Sequence, residues 1–195
     1  VQTECSEGWI SPESGAVCRN RAEWLMAAFP IHPLVVTGDM VWLEASAVYP
    51  GTSAYRLRMG TVLELCVEEG IPEIKETIET NRKKGTGAVI EPTEAQAEQR
   101  VQNRLSWNNY IVWLPCRAPD GSFFRQKGLI PMSRDVSVGY LSLTNEEIIK
   151  QAFKCLGDRY GWGGMLESRD CSSYIREVYR CFGWILPRNT TGQLQ

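Results

Sequence analysis

The pattern of apolar and turn residues changes at Leu143, and this change limits the possible folds more than any other feature of the sequence. Before Leu143, short runs rich in β-branched and aromatic residues alternate with turn residues, which is typical of antiparallel strands. After it, apolar residues recur at helical spacing behind helix-start signals. Strands followed by helices indicate an α+β protein.

The strand signals predict a small, strongly bent antiparallel β-barrel over residues 34–143. Each predicted strand is short and bounded by glycine, proline or aspartate, the residues that favour tight turns. The strand segments are 35–43, with a hairpin turn at 37–39, then 61–67, and finally 110–114, which turns at 119–121 into 123–125.

Two stretches outside these strands favour helix. Residues 1–33 form a lead-in in which residues 22–29 are helix-favouring and Pro30 closes the run. Residues 72–106 are polar and helix-prone, so we expect a solvent-facing helical insertion in the barrel, with a long loop as the alternative.

Residues 144–195 contain two helices with clear capping signals. Thr144 begins the first helix with a capping box, and Gly157 stands where a C-terminal cap belongs. Asp170 is the N-cap of the second helix, which Gly183 ends. Between the two helices, residues 159–164 read Arg-Tyr-Gly-Trp-Gly-Gly, which is too rich in glycine for a helix.

Composition excludes several classes of function. Lys and Arg total 21 against 23 for Asp and Glu, a formal net charge of −2, so the basic excess of a nucleic-acid binder is missing. No apolar run is long enough to cross a bilayer. The seven cysteines form no Cys-x-x-Cys pair and the chain has one histidine, so we expect no metal site and no cofactor. Because the chain opens at Val1 without a signal peptide, we expect a removed leader or an internal piece of a longer protein.

Cys171 is the strongest candidate for chemistry. Directly after the N-cap Asp170, it falls in the first turn of a helix, where unpaired backbone N–H groups and the helix dipole favour a thiolate. Cys155 and Cys181 come late in their helices, where the dipole has the opposite sign. The alternative is that Cys171 is a small buried apolar side chain.

The segment 152–193 resembles the NlpC family of bacterial cell-wall cysteine peptidases. The resemblance rests on Arg-Tyr-Gly-Trp-Gly-Gly at 159–164, Asp-Cys-Ser-Ser at 170–173 and Leu-Pro-Arg-Asn-Thr at 186–190. The preceding stretch, from Leu34 through Leu141, is similar to the bacterial SH3-like barrel that adjoins the catalytic domain in one branch of the family. Three regions follow: a helical lead-in or the end of a preceding domain at 1–33, an SH3-like barrel at 34–143, and the N-terminal helical half of a papain-like cysteine peptidase domain at 144–195.

The resemblance implies a peptidase that cuts peptidoglycan stem peptides between γ-D-glutamate and a diamino acid. Cys171 would be the nucleophile, and Asp170 and Ser172 match positions that hold the free N-terminus of the substrate. Tyr160 matches a tyrosine bordering the oxyanion site. Trp162 and Arg188, within the matched motifs, are further candidates for substrate binding. Such an enzyme is exported to the periplasm, cell envelope or medium.

Each site residue also has a structural alternative. Asp170 would cap the helix whether or not it binds substrate, Tyr160 and Trp162 would be core aromatics, and Arg188 would form a surface ion pair. In the family the general base is a histidine on a strand after the cysteine. His32 lies far upstream, where we expect a structural or surface role.

The absence of a histidine after Cys171 leaves the catalytic centre incomplete and the function open between two main hypotheses. In the first, a second polypeptide fragment or a longer protein supplies the base. In the second, the chain is a non-catalytic module that binds muropeptides, with a vestigial catalytic half. An acyltransferase or amidase with the same nucleophile is a third alternative.

Overall fold

The computed structural model describes residues 9–46, 49, 52, 55–66 and 108–194. The helical insertion predicted at 72–106 lies outside the described residues. No helix in the described part is long and apolar enough to cross a membrane.

The N-terminal lead-in contains one helical turn and one short helix. Pro12–Ser14 is a 3₁₀ turn, and α1 spans Arg21–Ala28. The Asn20 side chain caps α1 by accepting a hydrogen bond from the Glu23 backbone N–H at 2.9 Å. The predicted helix at 22–29 is therefore confirmed, although none of the α1 residues is buried.

Seven described strands form two antiparallel sheets. Five strands pair in the order β6-β5-β4-β1-β7, and β2 pairs with β3. The strands are β1 (Pro33–Val36), β2 (Met40–Trp42), β3 (Arg56–Arg58), β4 (Val62–Leu65), β5 (Asn109–Arg117), β6 (Phe123–Pro131) and β7 (Val136–Val138). Both sheets contribute to one buried apolar cluster, which includes Leu34, Leu57 and Ile130.

The turn between β5 and β6 forms where the sequence predicts it. The Asp120 carboxylate accepts hydrogen bonds from both the backbone N–H and the hydroxyl of Ser122, and Gly121 adopts a positive φ of 87°. This local chemistry favours the turn, and the backbone of Val17 in the lead-in also pairs with it.

The predicted hairpin at 35–43 is wrong. Strand β1 pairs with β4 and β7, whereas β2 pairs with β3 in the other sheet. The turn residues Thr37 and Gly38 donate their backbone N–H groups to the Asp135 carbonyl instead of closing a hairpin. Because Val35 and Val36 face opposite sides of β1 and both are fully buried, β1 is a central strand.

Three described α-helices follow the sheets: α2 (Asn145–Phe153), α3 (Cys171–Arg180) and the single turn α4 (Thr190–Gln193). Thr144 caps α2 as predicted, accepting from the Glu147 N–H at 3.2 Å. The α2 helix ends at Phe153, before the predicted cap at Gly157, whose φ is 93°. Residues 162–167 form a 3₁₀ segment interrupted by non-helical residues.

Helix α3 packs directly on the sheet. Val178 and Cys181 share a buried cluster with Val35 of β1 and with Met59. The approach is closest at Gly60, which has a φ of 77° and where a Cβ atom would stand 2.7 Å from the Glu177 carbonyl oxygen. The mixed helix and sheet class is confirmed, while the SH3-like and papain-like assignments and the boundary at 143/144 stay predictions.

Candidate functional site

Cys171 is the first residue of α3, and its side chain is exposed. The Asp170 carboxylate accepts from the Ser173 N–H at 2.7 Å, and the Ser173 hydroxyl accepts from the Asp170 N–H at 2.9 Å. This reciprocal capping box fixes the first turn of the helix around the sulfur. The prediction that Cys171 begins a capped helix is confirmed, and its exposure excludes the alternative of a buried apolar side chain.

An open cleft of about 260 Å³ lies beside Cys171. The described residues that line it carry two separate thiols, two phenols and four charged groups: Cys155, Asp158, Arg159, Tyr160, Arg169, Asp170, Cys171 and Tyr174. Charged and hydroxyl-bearing residues therefore lie around the nucleophile candidate.

A hydroxyl group lies beside the Cys171 sulfur, since the Thr190 Oγ1 is 3.8 Å from Sγ. Tyr160 lines the same cleft as Cys171. Desolvation, together with the neighbouring Cys171, raises the pKa of Tyr160. A phenol that stays protonated at neutral pH can donate a hydrogen bond to a thiolate or an oxyanion. Tyr160 was predicted from the sequence motif, whereas Thr190 was part of a matched motif with no predicted role of its own.

Arg188 holds the N-cap of α3 from the downstream segment. Its Nη1 lies 3.1 Å from Asp170 Oδ1 and its Nη2 lies 2.8 Å from Oδ2, while Nη1 also donates to the Ser172 hydroxyl at 2.9 Å. Asp170 is only 8% exposed. The hydrogen bonds from Arg188 hold the pKa of the Asp170 carboxyl well below its usual range.

These contacts bear on the predicted roles of Asp170, Ser172 and Arg188. The structure confirms Asp170 as a helix cap, and it makes Arg188 part of a half-buried ion pair. Asp170 and Ser172 are both buried, and both are hydrogen-bonded to Arg188. Binding of a substrate ammonium by Asp170 and Ser172 stays a prediction.

The aromatic residues of the glycine-rich segment are exposed. Tyr160 is 61% exposed and Trp162 is 76% exposed, so the alternative that they are core aromatics is wrong. Gly163 and Gly164 have φ values of 64° and 90°, which turn the chain away from regular helix after Trp162. Trp162 is not among the described residues that line the Cys171 cleft.

The other thiols provide a contrast with Cys171. The six cysteines in the described part are all free. Burial raises the pKa of both Cys155 and Cys181 to about 11, which keeps them protonated and poorly reactive at neutral pH. Their placement agrees with the prediction that they are less suited to nucleophilic chemistry.

His32 lies at a different place on the molecule. Its Nδ1 lies 3.2 Å from Glu64 Oε1, and the side chain is half exposed. It lines a separate cavity between α1 and strands β4, β5 and β6. The prediction of a structural or surface role for His32 is confirmed.

The part of the chain that the structure describes holds one group of possible metal ligands: Asp39, Cys155 and Asp158. The Arg169 guanidinium, however, donates to both carboxylates of this group. A cation already fixed between the two carboxylates makes this cluster a poor metal site.

Arg169 is the main feature of the site that the sequence analysis missed. It is buried and contacts Asp39, Asp158 and Glu177, which are 130, 11 and 8 positions away in the chain. Because these partners are distant in the chain, no local sequence pattern predicts the contacts of Arg169. The sequence shows only one basic residue between Ser168 and Asp170 in the motif.

Cys171 is thus an exposed cysteine at the first residue of a capped helix with a hydroxyl beside its sulfur, a setting that suits a thiol nucleophile. The model of the NlpC/P60 family matches residues 157–195, which include Tyr160, Cys171 and Arg188. The resemblance to this family is therefore confirmed for the segment that carries the site.

A solved structure of an NlpC/P60 endopeptidase from Photobacterium damselae subsp. piscicida has a similar fold. It superimposes with a TM-score of 0.60 at 16% sequence identity, over 95% of this chain and 30% of that chain. The chain thus spans about 30% of the length of this neighbour. No curated protein matches the chain.

Proposed function

We propose that the protein is a peptidoglycan stem-peptide hydrolase that cuts the γ-D-glutamyl bond to a diamino acid through Cys171. The observation that carries the proposal is the placement of Cys171, exposed at the start of α3 within the segment that matches the NlpC/P60 family. The γ-D-glutamyl specificity comes from the family resemblance and is the part that needs the test.

The described residues support a nucleophilic mechanism. The Cys171 thiolate attacks the glutamyl side-chain carbonyl and forms a C–S bond, and the carbonyl π electrons move onto the oxygen. The Tyr160 hydroxyl, beside Cys171, is suited to donate a hydrogen bond to that oxyanion. The C–N bond then breaks, the amine leaves with a proton from the general acid, and water hydrolyses the thioester.

The mechanism needs a general base that later acts as the acid, and the described lining of the cleft contains no histidine. In this proposal a histidine on another segment, either of a second polypeptide fragment or of a longer protein, completes the site. The exposed apolar side chains of Ile149, Phe153 and Leu156 on and after α2 support such a partner, because they offer a surface on which it could pack.

The test is cleavage of the tripeptides L-Ala-γ-D-Glu-L-Lys and L-Ala-γ-D-Glu-diaminopimelate, followed by mass spectrometry, in preparations with and without the histidine-bearing segment. We expect release of the diamino acid only when that segment is present. Cys171→Ala should abolish cleavage, whereas Cys18→Ala, a matched loss of a thiol on the N-terminal lead-in, should leave it unchanged.

An activated ester of L-Ala-γ-D-Glu separates the nucleophile from the base, because its good leaving group needs no protonation. The proposal predicts a stable mass increase on the peptide that contains Cys171. If the complete preparation left both tripeptides intact and the ester did not acylate Cys171, the proposal would be overturned. Muropeptide binding that survives Cys171→Ala, without any cleavage, would instead favour the wall-binding alternative. Export to the cell envelope follows from the proposed substrate.

A further inference from the structure

Arg169, two residues before Cys171, is buried at 9% exposure and has acidic partners from three separate parts of the chain. We infer that Arg169, anchored by Asp39, is a positioning residue that holds Tyr160 against Cys171. The inference deepens the proposed function, but its first test needs no peptidase activity.

The guanidinium uses its nitrogens on three different segments. Nε donates to Glu177 Oε2 of α3 at 2.7 Å. Nη1 donates to both Asp39 Oδ1 and Asp158 Oδ2, and Nη2 donates to the Asp39 carbonyl oxygen at 3.0 Å. Asp39 lies between β1 and β2, and Asp158 precedes the glycine-rich segment. Arg169 therefore joins the sheet, the Tyr160 segment and the nucleophile helix at one point.

The backbone of Arg169 joins the same two segments again. The Gly161 N–H donates to the Arg169 carbonyl at 2.8 Å, and Tyr160 pairs with Arg169 in a parallel bridge. The Tyr160 segment is thus paired with the residue that leads, through Asp170, into Cys171. Side-chain and backbone contacts of Arg169 together hold this segment next to the start of α3.

The cluster has one more negative than positive group. Glu177, which is buried, also lies 3.5 Å from Arg58 Nη1, so three carboxylates face two guanidinium groups. Asp39 is the partner that comes from the sheet, and it is 38% exposed on its side chain. Removal of the Asp39 side chain therefore loosens Arg169 and leaves no buried carboxylate unpaired. Removal of Arg169 itself would leave the buried Glu177 carboxylate without its closest partner.

The test measures how strongly Tyr160 is coupled to Cys171. In the otherwise unchanged protein, Tyr160→Phe should slow alkylation of Cys171 by iodoacetamide about threefold, because the thiolate loses a hydrogen-bond donor. In an Asp39→Ala background the same substitution should change the rate by less than about 1.5-fold, because Tyr160 is no longer held against the sulfur. The rate is followed by peptide mass spectrometry.

The matched control is Glu44→Gln, which removes an ion pair with Arg134 at 2.8 Å on the same sheet but away from Arg169. In that background the effect of Tyr160→Phe should stay about threefold. If Asp39→Ala does not fold, Asp39→Asn provides the same comparison, since its amide oxygen keeps one acceptor and lacks the charge.

An equal effect of Tyr160→Phe in all backgrounds would overturn the positioning role, as would no effect in the unchanged protein. A peptidase-active preparation adds a second readout, in which Asp39→Ala should lower kcat about tenfold with KM within about twofold. If no tripeptide is cleaved, the proposed function fails while the alkylation result still decides the inference.

Discussion

Replacing Arg188 with methionine should destabilise the protein by about 3 kcal/mol, near the lower end of the range for breaking a buried ion pair. The substitution keeps much of the side-chain length but removes both hydrogen bonds to the Asp170 carboxylate, at 3.1 and 2.8 Å. Asp170 is 8% exposed, so water cannot replace these donors fully. The Ser173 N–H remains as a partner of the carboxylate at 2.7 Å, which limits the loss.

The pH dependence gives an independent check. Arg188 lowers the pKa of Asp170 in the folded protein, so the unfolded chain binds the proton more tightly. This contribution to stability is complete above the unfolded pKa, about 4, and is lost as the pH falls towards the lower folded pKa. The difference in stability between the unchanged protein and Arg188→Met should therefore be constant above about pH 5 and shrink below about pH 4.

Urea unfolding followed by circular dichroism measures these differences. A double-mutant cycle with Asp170→Asn, which keeps a good N-cap residue, should give a coupling free energy of about 2 kcal/mol. Arg134→Met is the control, because its ion pair with Glu44 is exposed and should contribute at most about 1 kcal/mol. A coupling below about 0.5 kcal/mol, or a difference that does not fall in acid, would refute this account of the pair.

Two further predictions concern single positions. Gly60→Ala should lower the free energy of unfolding, measured in urea, by about 2–4 kcal/mol, because backbone strain and a clash with α3 add together. Gly139→Ala is the control, since Gly139 has a φ of 82° but open space around it, and it should cost only about 1 kcal/mol. Equal losses in the two variants would contradict the clash. Thr190→Val should slow iodoacetamide alkylation of Cys171 about twofold by removing the hydroxyl beside the sulfur, and Thr191→Val should not. A similar rate for both threonine variants would exclude a role for the Thr190 hydroxyl.

The features that could be predicted from the sequence are those fixed by neighbouring residues. The caps at Thr144 and Asp170 depend on backbone groups only three residues away, at Glu147 and Ser173. The β5–β6 turn depends likewise on Asp120 and the residues just after it. Because such contacts form within a single turn of chain, the residue types alone identify them.

The features that were missed depend on pairing between distant residues. Strand β1 looked like one arm of a local hairpin because Gly38 follows an apolar run, but its partners are β4 and β7, the second about 100 residues downstream. A short apolar strand carries no signal for which strand will pair with it. The contact of Arg169 with Asp39 likewise spans 130 positions, so only the folded chain brings them together.

The two arginines explain how a small polar site keeps its geometry. Arg169 lies just before α3 and ties the helix, through Glu177, to Asp39 and Asp158. Arg188 contacts the start of the helix from the downstream side, through Asp170 and Ser172. Bidentate or branched guanidinium contacts restrict direction as well as distance, which single apolar contacts do not. Cys171 is therefore held from both sides, before any base is added. In the proposed mechanism, a base brought to such a preorganised site would need only to reach the sulfur, because the site around it is already formed.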